Sequence, residues 1–129
     1  MTYLRYPHIH ADLITFTADD DVWLVPSSGG RAWRLTSDHV PVRSPRISPD
    51  GTQVAFVSFR TSQPELMVAE VATGALRRLT WLGSTTMTML GWQDSSHVLM
   101  ASNAGEFEVR NQVVKAVGLD GDRSEEHNV

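Results

Sequence analysis

ISPDGTQVAFVS, residues 47–58, joins a tight polar turn directly to a strand that is apolar on both of its faces. In Ser48-Pro49-Asp50-Gly51 the proline fixes φ for a turn, the aspartate can accept from its own backbone, and the glycine tolerates positive φ, so the chain reverses here. Val54-Ala55-Phe56-Val57 follows. Side chains alternate along a strand, so Val54 and Phe56 face one way and Ala55 and Val57 the other, and neither side can be left in water. Such a strand needs a packed layer on each face.

The layers come from repetition. At an offset of 44, RISPDGTQVAFVS (46–58) falls on LGWQDSSHVLMAS (90–102), and WRLT (33–36) falls on RRLT (77–80). DLITFT (12–17) matches TQVAFV (52–57), and VWLVPSSGG (22–30) matches LMVAEVATG (66–74). Each unit reads as short antiparallel strands joined by polar turns, with Ser28-Gly29-Gly30, Ala72-Thr73-Gly74 and Asp120-Gly121 in the same place, where positive φ is needed. Strands are predicted at 13–17, 21–26, 31–36 and 43–48, then at 53–59, 65–71, 75–80 and 86–92, and finally at 97–102 and about 111–118. Four strands every 40 to 45 residues is the spacing of a β-propeller blade.

The expected fold is therefore all-β: four-stranded antiparallel blades packed face to face, about two and a half of them, forming an incomplete propeller over residues 1–129. The units are placed at about 12–50, 51–94 and 95–129, with the Asp-Gly turn as the corner between consecutive blades. The expected core is Phe16, Val25, Leu35, Ile47, Val54, Phe56, Met67, Leu79, Leu90, Trp92 and Leu99. Truncating Phe56 to alanine should cost roughly 3 to 5 kcal/mol. Fewer than four blades cannot close a ring, so the chain is expected to expose blade faces and to self-associate through them.

Composition narrows the function classes. Eleven Lys and Arg against fifteen Asp and Glu give a net charge of −4, with no basic block, which argues against nucleic acid or anionic lipid as partner. There is no cysteine, which suits a reducing compartment and removes thiolate metal sites. No apolar run reaches membrane-spanning length, and the start Met-Thr-Tyr-Leu-Arg-Tyr-Pro does not read as a signal peptide, so a cytoplasmic location is expected.

SPDGTQVAFVS resembles the PD40 or TolB-type propeller repeat. More narrowly, the order Tyr6-Pro7, His10, Asp20-Asp21-Val22-Trp23, Arg34-Leu35-Thr36 and Arg78-Leu79-Thr80 is similar to the N-terminal six-bladed propeller of tricorn proteases. The third unit departs from the pattern, carrying Gln93-Asp94-Ser95-Ser96 in place of the Asp-Gly turn and a charged end, Asp122-Arg123-Ser124-Glu125-Glu126. The resemblance implies a non-catalytic segment of a large cytoplasmic serine peptidase that trims oligopeptides. It also implies that the catalytic Ser and His lie in regions downstream of this one, and that the propeller acts in substrate passage. Its partners would be the rest of the parent peptidase and its peptide substrates. The alternatives are a TolB-like protein-binding propeller and the propeller of a prolyl-oligopeptidase-like enzyme.

The residues themselves assign no catalytic, cofactor-binding or metal site. A nucleophilic triad needs a serine held by a histidine that an acid orients, and no Gly-x-Ser-x-Gly elbow is present. His8 and His10, two apart, share a strand face and could bind metal, but lack a third ligand, so ordinary hydrogen bonds are expected. His39, His97 and His127 are read as loop residues. Asp19-Asp20-Asp21 could hold a cation or dock basic peptides, but reads first as a solvated turn. Of the four tryptophans, Trp23 and Trp92 are expected in inter-blade packing, and Trp33 and Trp81 nearer the surface. Arg34 and the Arg77-Arg78 pair could grip peptide carboxylates, but their periodic placement reads as a recurring blade feature.

Overall fold

The computed structural model describes residues 4–103, 112–120 and 126–128. Every element among them is a strand. The first antiparallel sheet contains β1 (Arg5–His10), β2 (Leu13–Ala18), β3 (Asp21–Pro26) and β4 (Trp33–Arg34). The second contains β5 (Val42–Ile47), β6 (Gln53–Thr61), β7 (Gln63–Glu70) and β8 (Leu76–Arg78). The third contains β9 (Met87–Asp94), β10 (His97–Ser102), β11 (Val113–Gly118) and the short β12 (Glu126–Asn128). Each sheet runs in chain order. Their first strands lie side by side, β1 against β5 and β5 against β9, which makes these the inner strands of a propeller arc.

The double-faced strand β6 is the centre of the molecule. Val54 and Phe56 enter a core with Val22, Leu24, Leu35 and Ile47 of the first blade junction. Ala55 and Val57 enter a second core with Leu66, Val68, Met87, Met89, Val98 and Met100. The continuous apolar run is thus divided between two interfaces, as a strand covered on both faces requires.

The period leaves one thing open, namely where a unit begins, and there the structure corrects the sequence reading. The strand at 42–47 pairs with β6 and not with the first sheet, and 87–94 pairs with β10, so the sheets close over 5–34, 42–78 and 87–128 instead of 12–50, 51–94 and 95–129. The Ser48–Gly51 turn is accordingly the hairpin between the first two strands of the second blade, closed by Gly51 N–H donating to Ser48 C=O and Ser48 N–H to Gln53 C=O. It is not a corner between blades. The Gly29-Gly30 and Gly74 turns do join the third and fourth strands, at φ of 95°, 121° and 75°. Gly121, residue 111 and the charged stretch 122–125 lie outside the described residues.

Each inner strand carries a bulge, at Tyr6 (φ 52°) in β1, Ser44 (φ 52°) in β5 and Gly91 (φ 135°) in β9. The last of these overturns one expected core residue. Gly91 pairs with Leu99 and Met89 with Met100, so Leu90 is the extra residue of the bulge and is 48% exposed. Leu35, Ile47, Val54, Phe56 and Met67 are buried as expected, whereas Phe16, Val25, Leu79, Trp92 and Leu99 are half-buried. Phe16 and Val25 belong, with Ile14 and Trp23, to the face of the first sheet turned away from the second. That face has no described blade against it.

Candidate functional site

The histidines of β1 are structural links. His8 Nδ1 accepts from Ile47 N–H at 3.2 Å, and His10 Nε2 lies 2.7 Å from Pro49 C=O, so the imidazoles reach from the first blade to the inner strand of the second and to the turn that follows it. Burial, reinforced by the positive charges of Arg46 and His10, holds His8 below its ordinary pKa. His39 lies in a loop, as expected, but His97 opens β10 and the backbone of His127 falls in β12. Among the described residues, no three His, Cys, Asp or Glu side chains are grouped to hold a metal ion.

The acidic run divides into two roles. Asp19 (φ 51°) and Asp20 (φ 63°) are the two central residues of the hairpin between β2 and β3, both left-handed as a type I′ turn demands. Asp21 is buried. Its Oδ1 accepts from the Thr36 hydroxyl at 2.7 Å and from His39 N–H at 3.3 Å, while Arg34 Nε stands 3.5 Å from Oδ2. Thr36 Oγ1 in turn accepts from Val22 N–H at 3.0 Å. The second blade repeats this set with glutamate: Glu65 accepts from the Thr80 hydroxyl at 2.5 Å, Thr80 Oγ1 accepts from Leu66 N–H at 2.9 Å, and Arg78 stands 3.5 Å from Oε2.

The Arg-Leu-Thr repeat is thereby explained. Its arginine and threonine tie the last strand of each blade to an acid at or beside the start of the third strand. Arg34 also lies over the Trp23 ring at 4.9 Å and Arg78 over Trp81 at 4.9 Å, a cation–π contact in each blade. These arginines are committed to their own blades. Sequence reasoning found the Arg-Leu-Thr half of the network, read Asp21 as part of a solvated acidic turn, and missed Glu65. Their spacing of 44 was available, but a change from Asp to Glu hides it from a match by residue type.

The tryptophans separate as the strand pattern suggests, with one exception. Trp92 packs on the core of the second blade junction, and its indole N–H donates to Arg46 C=O at 2.9 Å. Trp33 and Trp81 are exposed. Trp23, expected between blades, stacks on Phe16 with centroids 6.5 Å apart, on the uncovered face of the first sheet.

Among the described residues, two cavities open where inner strands meet. The larger, about 540 Å³, is lined by Arg5, Tyr6, Asp19, Asp20, Arg43 and Phe59 among others, with the Arg43 guanidinium 4.7 Å from the Phe59 ring centre. It brings the turn carboxylates and two arginines to the same mouth of the arc. The smaller, about 240 Å³, is lined by His8, His10, Arg46, Leu90, Gly91 and Trp92 together with Ile47 and Pro49.

A profile of the tricorn protease N-terminal β-propeller domain matches residues 1–129. The chain belongs to the tricorn protease N-terminal β-propeller family. It is 50% identical over 119 residues to tricorn protease homolog 1 of Streptomyces coelicolor, covering 92% of this chain and 11% of that protein. It is 34% identical over 103 residues to the tricorn protease homolog of Saccharolobus solfataricus, covering 78% of this chain and 10% of that one. The crystal structure of the tricorn protease superposes with a TM-score of 0.83 at 21% identity, over 93% of this chain and 13% of the other, a likeness of fold. This tricorn-family chain thus spans about a tenth of the length of these two relatives.

Proposed function

We propose that this propeller segment works as a non-catalytic part of a larger, cytoplasmic tricorn-type serine peptidase, where it takes part in the passage of oligopeptides to or from a catalytic centre formed elsewhere. The observation that carries the reading is the match of nearly the whole chain, at 50% identity, to a small part of a tricorn protease homolog. Two features of the chain support it. The buried acids Asp21 and Glu65 are already engaged in tying strands within their own blades, and a cavity lined by arginine, carboxylate and aromatic groups lies at the mouth of the inner strands.

The reading also assigns partners. The half-buried apolar face of Ile14, Phe16, Trp23 and Val25 on the first sheet, and that of Leu99 and Val114 on the third, would be covered by further blades of the parent protein. In isolation these faces drive self-association.

Enzyme assays on the 129-residue chain and on the parent protein test the proposal together. The chain alone is expected to give no turnover of fluorogenic peptides. In the parent, Phe59→Ala and Arg43→Ala are expected to alter KM for long peptides and to leave hydrolysis of a tripeptide unchanged. Turnover by the rigorously purified chain, or identical length dependence in the parent and its variants, would overturn it. A chain that stays monomeric at high concentration would refute self-association alone.

A further inference from the structure

The Arg46–Ile47 peptide of β5 is held at both of its polar ends by ring nitrogens from the flanking blades. Its N–H donates to His8 Nδ1 of β1 at 3.2 Å, and its C=O accepts from the Trp92 indole N–H of β9 at 2.9 Å. A single amide therefore connects the inner strands of three blades. We propose that this peptide is a relay through which protonation of His8 in the first blade is felt at Trp92 in the third, making the junction an acid-sensitive latch.

The polarity of the hydrogen bonds carries the proposal. A ring nitrogen that accepts from an amide must hold a lone pair, so His8 is neutral with its proton on Nε2. Protonation converts Nδ1 into a donor facing another donor, which abolishes the bond and sets the two groups against each other. Hydrogen bonds in series polarise one another, so an amide whose N–H loses its acceptor becomes a weaker acceptor at its C=O. The effect is transmitted along one peptide group and requires no movement of a blade.

The surroundings work in the same direction. His10 stands two residues along on β1, and Arg46 faces His8 from β5 with its guanidinium donating to Pro45 C=O at 3.4 Å. Across β2 the paired residue is Thr15, and β9 contributes Leu90, Gly91 and Trp92 to the adjoining cavity. No carboxylate is among the residues lining that cavity, so nothing there offsets an imidazolium. A half-buried His8 with its pKa lowered binds its proton less readily folded than unfolded. Between the unfolded value of 6.5 and the lower folded value the unfolded chain holds more protons, so the His8 contribution to stability is lost as pH drops through this window and is constant above it.

The test follows the Trp92 indole N–H and the Ile47 amide of the isotope-labelled 129-residue chain by NMR, from about pH 8 to about pH 5, where histidine titrates. Trp92→Phe assigns the indole signal. The indole resonance is expected to move with the midpoint of the His8 ring, and Ile47 exchange protection to drop about tenfold beyond the intrinsic pH effect, the scale of one hydrogen bond. His8→Asn, whose Oδ1 keeps an acceptor at the Nδ1 position and does not titrate, should abolish both changes, and His10→Asn should leave them in place. An indole signal indifferent to the His8 midpoint overturns the relay. So does a pH response that survives in His8→Asn. Should that variant fail to fold, agreement or disagreement of the two midpoints in the unsubstituted chain decides alone.

Discussion

The first and second blades tie their last strand to their third with the same arginine and threonine but with acids of different length, and the difference shows in what each acid can reach. Glu65 extends far enough to accept from the Leu82 and Gly83 backbone N–H groups at 3.1 and 3.0 Å as well as from Thr80. Asp21 is one carbon shorter. Its Oδ1 serves Thr36 and the His39 N–H, while its buried Oδ2 has Arg34 Nε at 3.5 Å and His39 Nδ1 at 3.3 Å but receives no hydrogen bond. A buried carboxylate oxygen without a donor is destabilising relative to one that has it. The repeat thus preserves the arginine and threonine geometry while the quality of the acid's shell varies, and the second blade holds the better-satisfied network.

The largest effect that could break this comparison is Glu65→Ala. It leaves the Thr80 hydroxyl and two backbone N–H groups without their acceptor and removes the carboxylate beside Arg78, and is expected to cost roughly 3 to 5 kcal/mol, as several buried groups losing their partner at once do. Asp21→Ala should cost about 1 kcal/mol less, the worth of the hydrogen bond its Oδ2 never makes. Urea unfolding of both variants measures the difference. Equal losses would show that the unbonded oxygen is satisfied in solution and that the two networks are equivalent.

A middle-sized effect sharpens the point from the threonine side. Thr36 and Thr80 each bridge an acid and a backbone N–H, Val22 in one blade and Leu66 in the other. Thr→Val at either position keeps the volume and leaves two buried groups without a partner, at an expected cost of about 1 to 3 kcal/mol. Because this half of the network is the same in both blades, the two losses should agree within about 0.5 kcal/mol. Unequal losses would locate the difference between blades in the threonine and not in the acid.

How far the fold could be read from the sequence follows from which interactions are periodic. The turn at 48–51, the two-faced strand after it and the Arg-Leu-Thr repeat are local patterns, and they led to antiparallel blades with most strands within a residue or two. The phase was not legible from the offset of 44, because a period is unchanged by where counting begins. One signal would have set it: Arg5-Tyr6-Pro7-His8-Ile9-His10 and Arg43-Ser44-Pro45-Arg46-Ile47-Ser48 share Arg-x-Pro-x-Ile, and both form bulged inner strands that open a sheet. The burial of Asp21 beside two solvated turn aspartates depends on contacts made only when the end of the first blade folds back on its third strand, and the double engagement of the Arg46–Ile47 peptide on contacts made only when blades stack. Composition carries no trace of them, and the spacing of 44 between Asp21 and Glu65 marks the positions without showing the contacts.

The smallest effect concerns a second pair of related positions, Asp50 and Asp94, and tests whether the third blade keeps the turn chemistry of the second despite its different residues. Asp50 accepts from the Ser48 hydroxyl at 2.7 Å, the Thr52 hydroxyl at 2.8 Å and the Thr52 N–H at 3.1 Å, bonds that, in that order, hold its pKa below the ordinary carboxylate range. Asp94, 44 residues on, accepts from the Ser96 N–H at 2.8 Å and its hydroxyl at 2.9 Å, and adds His97 Nδ1 at 3.0 Å. Its pKa is lowered to about 2, first by the Ser96 N–H and next by His97. The Asp-Ser-Ser sequence that breaks the Asp-Gly pattern therefore builds the same side-chain turn. Since the folded carboxyl is the stronger acid, the contribution of Asp94 to stability is present above 3.8 and is lost as pH falls toward about 2. Asp94→Asn removes this titration and should flatten that part of the acid limb of stability against pH. In an NMR titration, His97→Ala should raise the Asp94 midpoint, while Ser96→Ala, which spares the N–H, should raise it less. A midpoint near 3.8 in the unsubstituted chain would mean that the third blade has lost the turn its neighbour keeps.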